Sequence, residues 1–154
     1  MKNIYKLPAS ILLSLSAGAL GSTTTGSAID DWYKQLQKPS FNPPATVFGP
    51  VWTILYTLMG VALYLIWNKP AGRKRGAYIA FGLQLFLNSL WSVIFFGWKK
   101  PFGAFVEIIF LFAAILIIVI LFWRISRTGA ILLLPYLFWV AFASVLNFRI
   151  WQLN

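Results

Sequence analysis

The chain has 154 residues, with no cysteine, no histidine and only three acidic residues, Asp30, Asp31 and Glu107. Without thiol or imidazole, the usual ligands of zinc and iron–sulfur centres, the usual axial ligands of haem, thiol nucleophiles and Ser-His-Asp triads are all missing. No disulfide can form, so cysteine usage says nothing about redox compartment. A two-carboxylate hydrolase would have to pair Glu107 with the distant Asp30/Asp31 doublet, a poor basis for that chemistry. No catalytic residue, no metal site and no obligatory cofactor is therefore expected.

Charge is scarce as well. Charged residues make up 10% of the chain and apolar residues 60%, with a mean hydropathy of +0.77. A soluble domain is about 25% charged. This chain has too little polar surface to cover an apolar core in water, which makes it an all-α, integral, multi-pass membrane protein in contact with lipid. The net charge of +10 does not point to nucleic acid. Its basic residues sit in short clusters between apolar runs, where they act as topology signals.

A helix needs about 20 apolar residues to cross a bilayer. Five such spans are predicted in a single domain over residues 1–154, at about 7–29, 46–67, 77–98, 102–123 and 130–151. A long loop, 30–45, carries Pro39, Pro43 and Pro44. Shorter breaks fall at Asn68–Gly72, at Lys99-Lys100-Pro101 and at Arg124–Gly129, and Pro101 suits a first helical position. The first span admits two readings. Lys2 and Lys6 followed by Ile11-Leu12-Leu13 and Ser16–Ala19 resemble a signal peptide. Ser14, Gly18, Ser22 and Gly26 instead form a small-residue stripe suited to close helix packing in lipid, and the stripe outruns any cleavage site. A retained helix is the favoured reading.

Five spans put the termini on opposite sides. Lys2, Lys6, Lys69, Arg73, Lys74, Arg75, Arg124 and Arg127 share one side, and Lys34, Lys38, Lys99, Lys100 and Arg149 the other. This bias predicts a cytoplasmic N-terminus and an external long loop in a bacterial cell membrane. Glu107, about five residues into its span, is expected to snorkel to the interface, with proton gating or an internal salt bridge as alternatives. The Asp30-Asp31 pair is expected in solvated loop, and the Lys69–Arg75 cluster at anionic headgroups.

The eight tryptophans fall into two sets. Trp67, Trp98, Trp123 and Trp151 lie at span ends, as interfacial anchors do. Trp52, Trp91 and Trp139 lie inside spans, and Trp32 lies in the long loop. At about 1.5 Å rise per residue, measured from the long-loop side, Trp52 is about 9 Å deep, Tyr56 and Asn88 about 15 Å, and Trp91 about 10 Å. On the fifth span Leu146 is about 8 Å, Ala143 about 12 Å and Trp139 about 18 Å deep. All lie in the half of the bilayer nearest the long loop. Asn88, Trp91 and Phe95 share a helix face, as do Trp52, Tyr56 and Met59, and Trp139, Ala143 and Leu146. Polar Asn88 and Gln84 should point inward, either to bond neighbouring helices or, with the indole N–H of Trp52 or Trp139, to meet a ligand. An aromatic cage of this kind suits a large, flat, apolar guest with a few polar edges, such as a tetrapyrrole held by stacking and shape.

Longer patterns carry a resemblance. Trp32-Tyr33-x-x-Leu36-x-Lys38-Pro39-Ser40-Phe41-x-Pro43-Pro44 leads to Phe48-x-Pro50-Val51-Trp52-Thr53-x-Leu55-Tyr56. Gln84-Leu85-x-Leu87-Asn88-x-x-Trp91-Ser92 follows, then Leu134-Pro135-Tyr136-Leu137-x-Trp139-Val140-x-Phe142-Ala143 and Leu146-Asn147. The whole resembles the tryptophan-rich sensory protein/translocator protein (TspO/MBR) family. That resemblance implies a five-helix bundle, commonly a homodimer, that binds porphyrins such as protoporphyrin IX, haem-type ligands and small hydrophobic ligands. It implies a pocket of Tyr33 and Pro43 on the loop, Trp52, Tyr56, Asn88, Trp91, Trp139, Ala143 and Leu146 on the helices, with Trp32 as a lid residue. The role implied is tetrapyrrole sensing, regulation or transport; the alternative is light- and oxygen-dependent degradation of protoporphyrin IX beside Trp52 and Trp139. Animal members carry a proposed cholesterol pattern with a Tyr before a basic residue. Phe148 stands at that Tyr and nothing basic follows Arg149, so sterol is not an expected ligand.

Overall fold

In hydrocarbon a backbone N–H or C=O finds no water, so a spanning segment must satisfy these groups within itself. The computed structural model describes residues 3–70 and 72–154, and does so with helices. Lys2 and Ala71, used above in a basic cluster and a turn, lie outside the described residues. Helix α1 (Lys6–Ala28) runs on into a π-helical turn, Ile29–Tyr33. Helix α2 covers Ala45–Trp67. Helix α3 (Arg75–Ser92) also ends in a π-helical turn, Val93–Gly97. Helices α4 (Pro101–Ile125) and α5 (Arg127–Leu153) complete the described chain. All five are long and apolar enough to cross a membrane.

The helices pack as a closed ring in the order α1–α2–α5–α4–α3 and back to α1. The half of the ring away from the long loop is solid. Met59, Ile66, Ile115, Ile118, Phe122 and Leu133 are fully buried there, and Phe81 stacks on Phe122 at 6.1 Å. The half nearest the loop is walled by aromatic side chains and is not filled. Trp67, Trp98, Trp123 and Trp151 remain exposed at helix ends, with Lys6 over Trp67 and Arg127 over Trp123.

Helix α1 is packed as a wall of the bundle. Its buried line is Ser10, Ser14, Ala17, Gly21 and Ala28; of the stripe read from the sequence, Ser14 lies on that line and Gly18 packs closely against Tyr56, while Ser22 and Gly26 are exposed. Alternating steps of four and three keep one face on a neighbouring helix better than steps of four do. Gly26, the last member of the expected stripe, has no contact within 4 Å of a Cβ position. Gly60 on α2 provides the close approach: a Cβ there would stand 2.4 Å from the Ile11 Cα. The Ser89 hydroxyl donates to the Ala17 carbonyl at 2.9 Å and ties α1 to α3.

Several boundaries differ from the sequence reading. Asp30, Asp31, Trp32 and Tyr33 are helical, because the first helix runs past its apolar stretch into the π-helical turn. Asp30 is not free loop but pairs with Lys34 at 3.1 Å, one turn on. The connection to α2 is therefore residues 34–44. Between α4 and α5, the break expected over Arg124–Gly129 shrinks to Ser126. Its extended backbone turns the chain, and its hydroxyl accepts from the Gly129 N–H at 3.2 Å. That N-cap lets α5 start at once. Glu107 does not snorkel. It is buried in the bundle, and among the described residues neither carboxyl oxygen has a hydrogen-bond partner.

Because the Gly60 contact is with backbone, no rotamer change can relieve it. Gly60→Leu should lower bundle stability by about 1–3 kcal/mol, whereas Gly26→Ala should be neutral or stabilise by up to about 1 kcal/mol. Thermal unfolding of both variants in one detergent reads the difference.

Candidate functional site

The unfilled half of the ring holds a cavity of about 540 Å³, partly open between α1 and α2 where exposed Ala19, Ser22, Gly49 and Thr53 line it. Ligand sites run from about 300 to 1,000 Å³. It is open because α1 presents small side chains there: Gly18, Ala19, Ser22 and Thr25 line one wall. A Cβ on Gly18 would stand 2.4 Å from the Tyr56 ring, so glycine sets how closely α1 covers that ring.

The opposing walls are aromatic. Trp52 stacks on Tyr56 at 5.6 Å, Phe48 meets Trp139 edge-on at 6.1 Å, and Trp91 stacks on Phe95 at 5.0 Å. The two π-helical turns lie at the same end of the bundle and bring Tyr33 and Phe96 together at 5.7 Å. A π-turn holds an extra residue, so it re-aims the side chains that follow.

A buried hydrogen-bond chain forms the boundary between the cavity and the solid half. The Tyr56 hydroxyl donates to Asn88 Oδ1. Asn88 Nδ2 donates to the Tyr136 hydroxyl at 2.7 Å, and Tyr136 donates to Gln84 Oε1 at 2.8 Å. Gln84 Nε2 faces Met59 Sδ at 3.8 Å. A second link joins the walls: the Trp91 indole N–H donates to Asn147 Oδ1 at 2.9 Å, and Asn147 Nδ2 donates to the Pro101 carbonyl at 2.8 Å. No described group accepts from the indole N–H of Trp52 or Trp139.

Of the residues expected at the site, Tyr33, Trp52, Tyr56, Asn88, Trp91, Trp139, Ala143 and Leu146 all line the cavity. Trp32 does not line it; it packs edge-on against Phe95 from behind, at 5.5 Å. Pro43 lines a smaller adjoining recess under the 34–44 connection, which shares Ile29, Tyr33 and Ala45 with the main cavity. Asn88 gives its carbonyl and one amide hydrogen to neighbouring helices and also lines the cavity. Sequence reasoning did not nominate Phe48, Phe96, Ile108 or Leu111, which also line it. Apolar residues within apolar runs give no signal of that kind. Asn147 was visible as a polar residue inside a span but was not placed at the site.

An aromatic cavity in one half of a five-helix bundle defines the class: a multi-pass integral membrane protein with an apolar site between its helices. The chain belongs to the TspO/MBR family, whose profile matches residues 10–152. It is 43% identical over 152 residues to the tryptophan-rich protein TspO of Archaeoglobus fulgidus, covering 99% of each chain. It is 40% identical to the human translocator protein, over 80% of this chain and 75% of that one. A tryptophan-rich sensory protein of Cereibacter sphaeroides is 32% identical, over 94% and 91% of the two chains.

Tyr136→Phe removes the hydroxyl that joins Asn88 to Gln84 and strands a buried donor and a buried acceptor. Stability in detergent should fall by about 1–3 kcal/mol. Glu107→Met replaces an unpartnered buried carboxyl with an apolar chain and should raise the unfolding temperature.

Proposed function

We propose that the cavity binds a tetrapyrrole, protoporphyrin IX or haem, and that the protein senses, regulates or transports such molecules within the membrane. The observation that carries this reading is a cavity of about 540 Å³ walled by Trp52, Tyr56, Trp91 and Trp139 from three helices. Rings of this kind stack on a large flat guest, and the indole N–H groups of Trp52 and Trp139 can reach polar atoms at its edge. The names of two relatives, translocator protein and tryptophan-rich sensory protein, agree with carriage or sensing. The charge bias along the chain favours a cytoplasmic N-terminus, with the long loop outside a cell membrane, as the orientation of the proposed carrier or sensor.

The same site supports a second reading. Trp52 and Trp139 stand where a photosensitising guest would lie, so light and dissolved oxygen could degrade bound protoporphyrin IX beside them.

Titration of the purified protein with protoporphyrin IX in the dark should quench tryptophan fluorescence to saturation. Trp139→Ala should weaken binding about tenfold through lost stacking and burial. Because the chain has no histidine or cysteine to ligate iron, haem and metal-free porphyrin should bind within about threefold of each other. Absence of saturable quenching would overturn the binding reading. Illumination of the same aerobic sample then decides the second: an unchanged porphyrin spectrum excludes degradation.

A further inference from the structure

The α1–α2 connection, residues 34–44, crosses the open end of the ring, and we infer that Asn154 latches it shut over the cavity. The inference rests on the cavity alone and holds whatever the guest. The Asn154 carboxamide accepts from the Gln37 backbone N–H at 3.0 Å and donates to the Gln37 carbonyl at 2.9 Å. One side chain thus engages both backbone groups of one residue, as a neighbouring β-strand would. The second amide hydrogen goes to the Ile150 carbonyl at 2.7 Å, one turn back in α5, and fixes the rotation of the carboxamide. Both donor hydrogens and the acceptor oxygen are used, which only an amide can do.

Its place in the ring gives the contact its meaning. Helix α1 packs on α2 and α3, while α5 packs on α2 and α4. A connection that leaves α1 and is fastened to α5 therefore spans the mouth of the bundle. Its other contacts with α5 are apolar: Leu36 packs in the cluster of Tyr33, Phe95, Leu146 and Ile150, and Phe41 meets Phe142 edge-on at 6.2 Å. Apolar contacts are non-directional and tolerate sliding. Among the described residues, the Asn154 clamp is the hydrogen-bonded tie between this connection and α5. Gln37 and Asn154 are both exposed, so water can replace each bond when the clamp opens and no buried group is stranded. The clamp is directional yet cheap to reverse, which is what a gate on an aqueous path requires.

The absence of cysteine supplies the test. Ala143→Cys places a single thiol on the cavity wall, and its reaction with a charged, membrane-impermeant methanethiosulfonate in lipid nanodiscs reads entry from water. Adding Asn154→Ala should raise the labelling rate about tenfold, as expected for losing two hydrogen bonds. Asn154→Asp keeps an acceptor but sets a carboxylate against two carbonyls, and should raise it as well. Gln37→Ala keeps both backbone groups and should leave the rate unchanged. Equal rates with and without Asn154, including no labelling in either, would overturn the latch, as would a Gln37→Ala effect as large as that of Asn154→Ala. Hydrogen exchange at the Gln37 amide, without the cysteine, gives a second reading: it should quicken in Asn154→Ala, and unchanged exchange would also overturn the proposal. Failure of porphyrin to bind the parent protein would sink the function proposed above and leave these rates standing.

Discussion

A polar group in hydrocarbon must find a partner inside the protein, and the chain Tyr56–Asn88–Tyr136–Gln84 is where this bundle meets that demand. It draws on α2, α3 and α5, and α3 and α5 are not neighbours in the ring. The bonds therefore run through the interior rather than along one helix seam. Below them the bundle is close-packed with aliphatic side chains; above them it is hollow. The floor of the cavity lies where these four polar groups meet.

Helix α1 plays a complementary part. Without a hydrophobic driving force between helices in lipid, close packing requires small residues at the contact. Gly60 admits the backbone of α1 on the solid side, and Gly18 admits the Tyr56 ring on the hollow side. The exposed small residues of α1, Ala19 and Ser22, leave space instead, and that space belongs to the cavity. One run of small residues thus both tightens the bundle and hollows it. Glu107 stands apart from this economy, since its buried oxygens find no partner among the described residues.

Much of this was legible in the chain. Apolar length and punctuation located all five helices, because a bilayer of fixed thickness imposes a fixed run of residues. Helix pitch alone placed Trp52, Asn88, Trp91 and Trp139 at related depths, since rise per residue is constant. The places where the reading failed share a cause. Trp32 was expected over the site but packs behind Phe95, because a π-helical turn at the end of α1 rotates it away, and no apolar pattern announces such a turn. Ser126 makes a corner in a single residue where a six-residue break was expected, because a cap can substitute for loop length.

The sequence by itself determined the solvent, the number of crossings and the depth of the aromatic residues, for each depends only on composition and the regular geometry of a helix. Tertiary structure alone decided which faces meet. It chose the ring order that brings Tyr136 to Asn88, spent the Asn88 amide on neighbouring helices, buried Glu107 and carried residues 34–44 across to Asn154. Those outcomes depend on the rotation and closeness of helices far apart in the chain, which local periodicity does not encode.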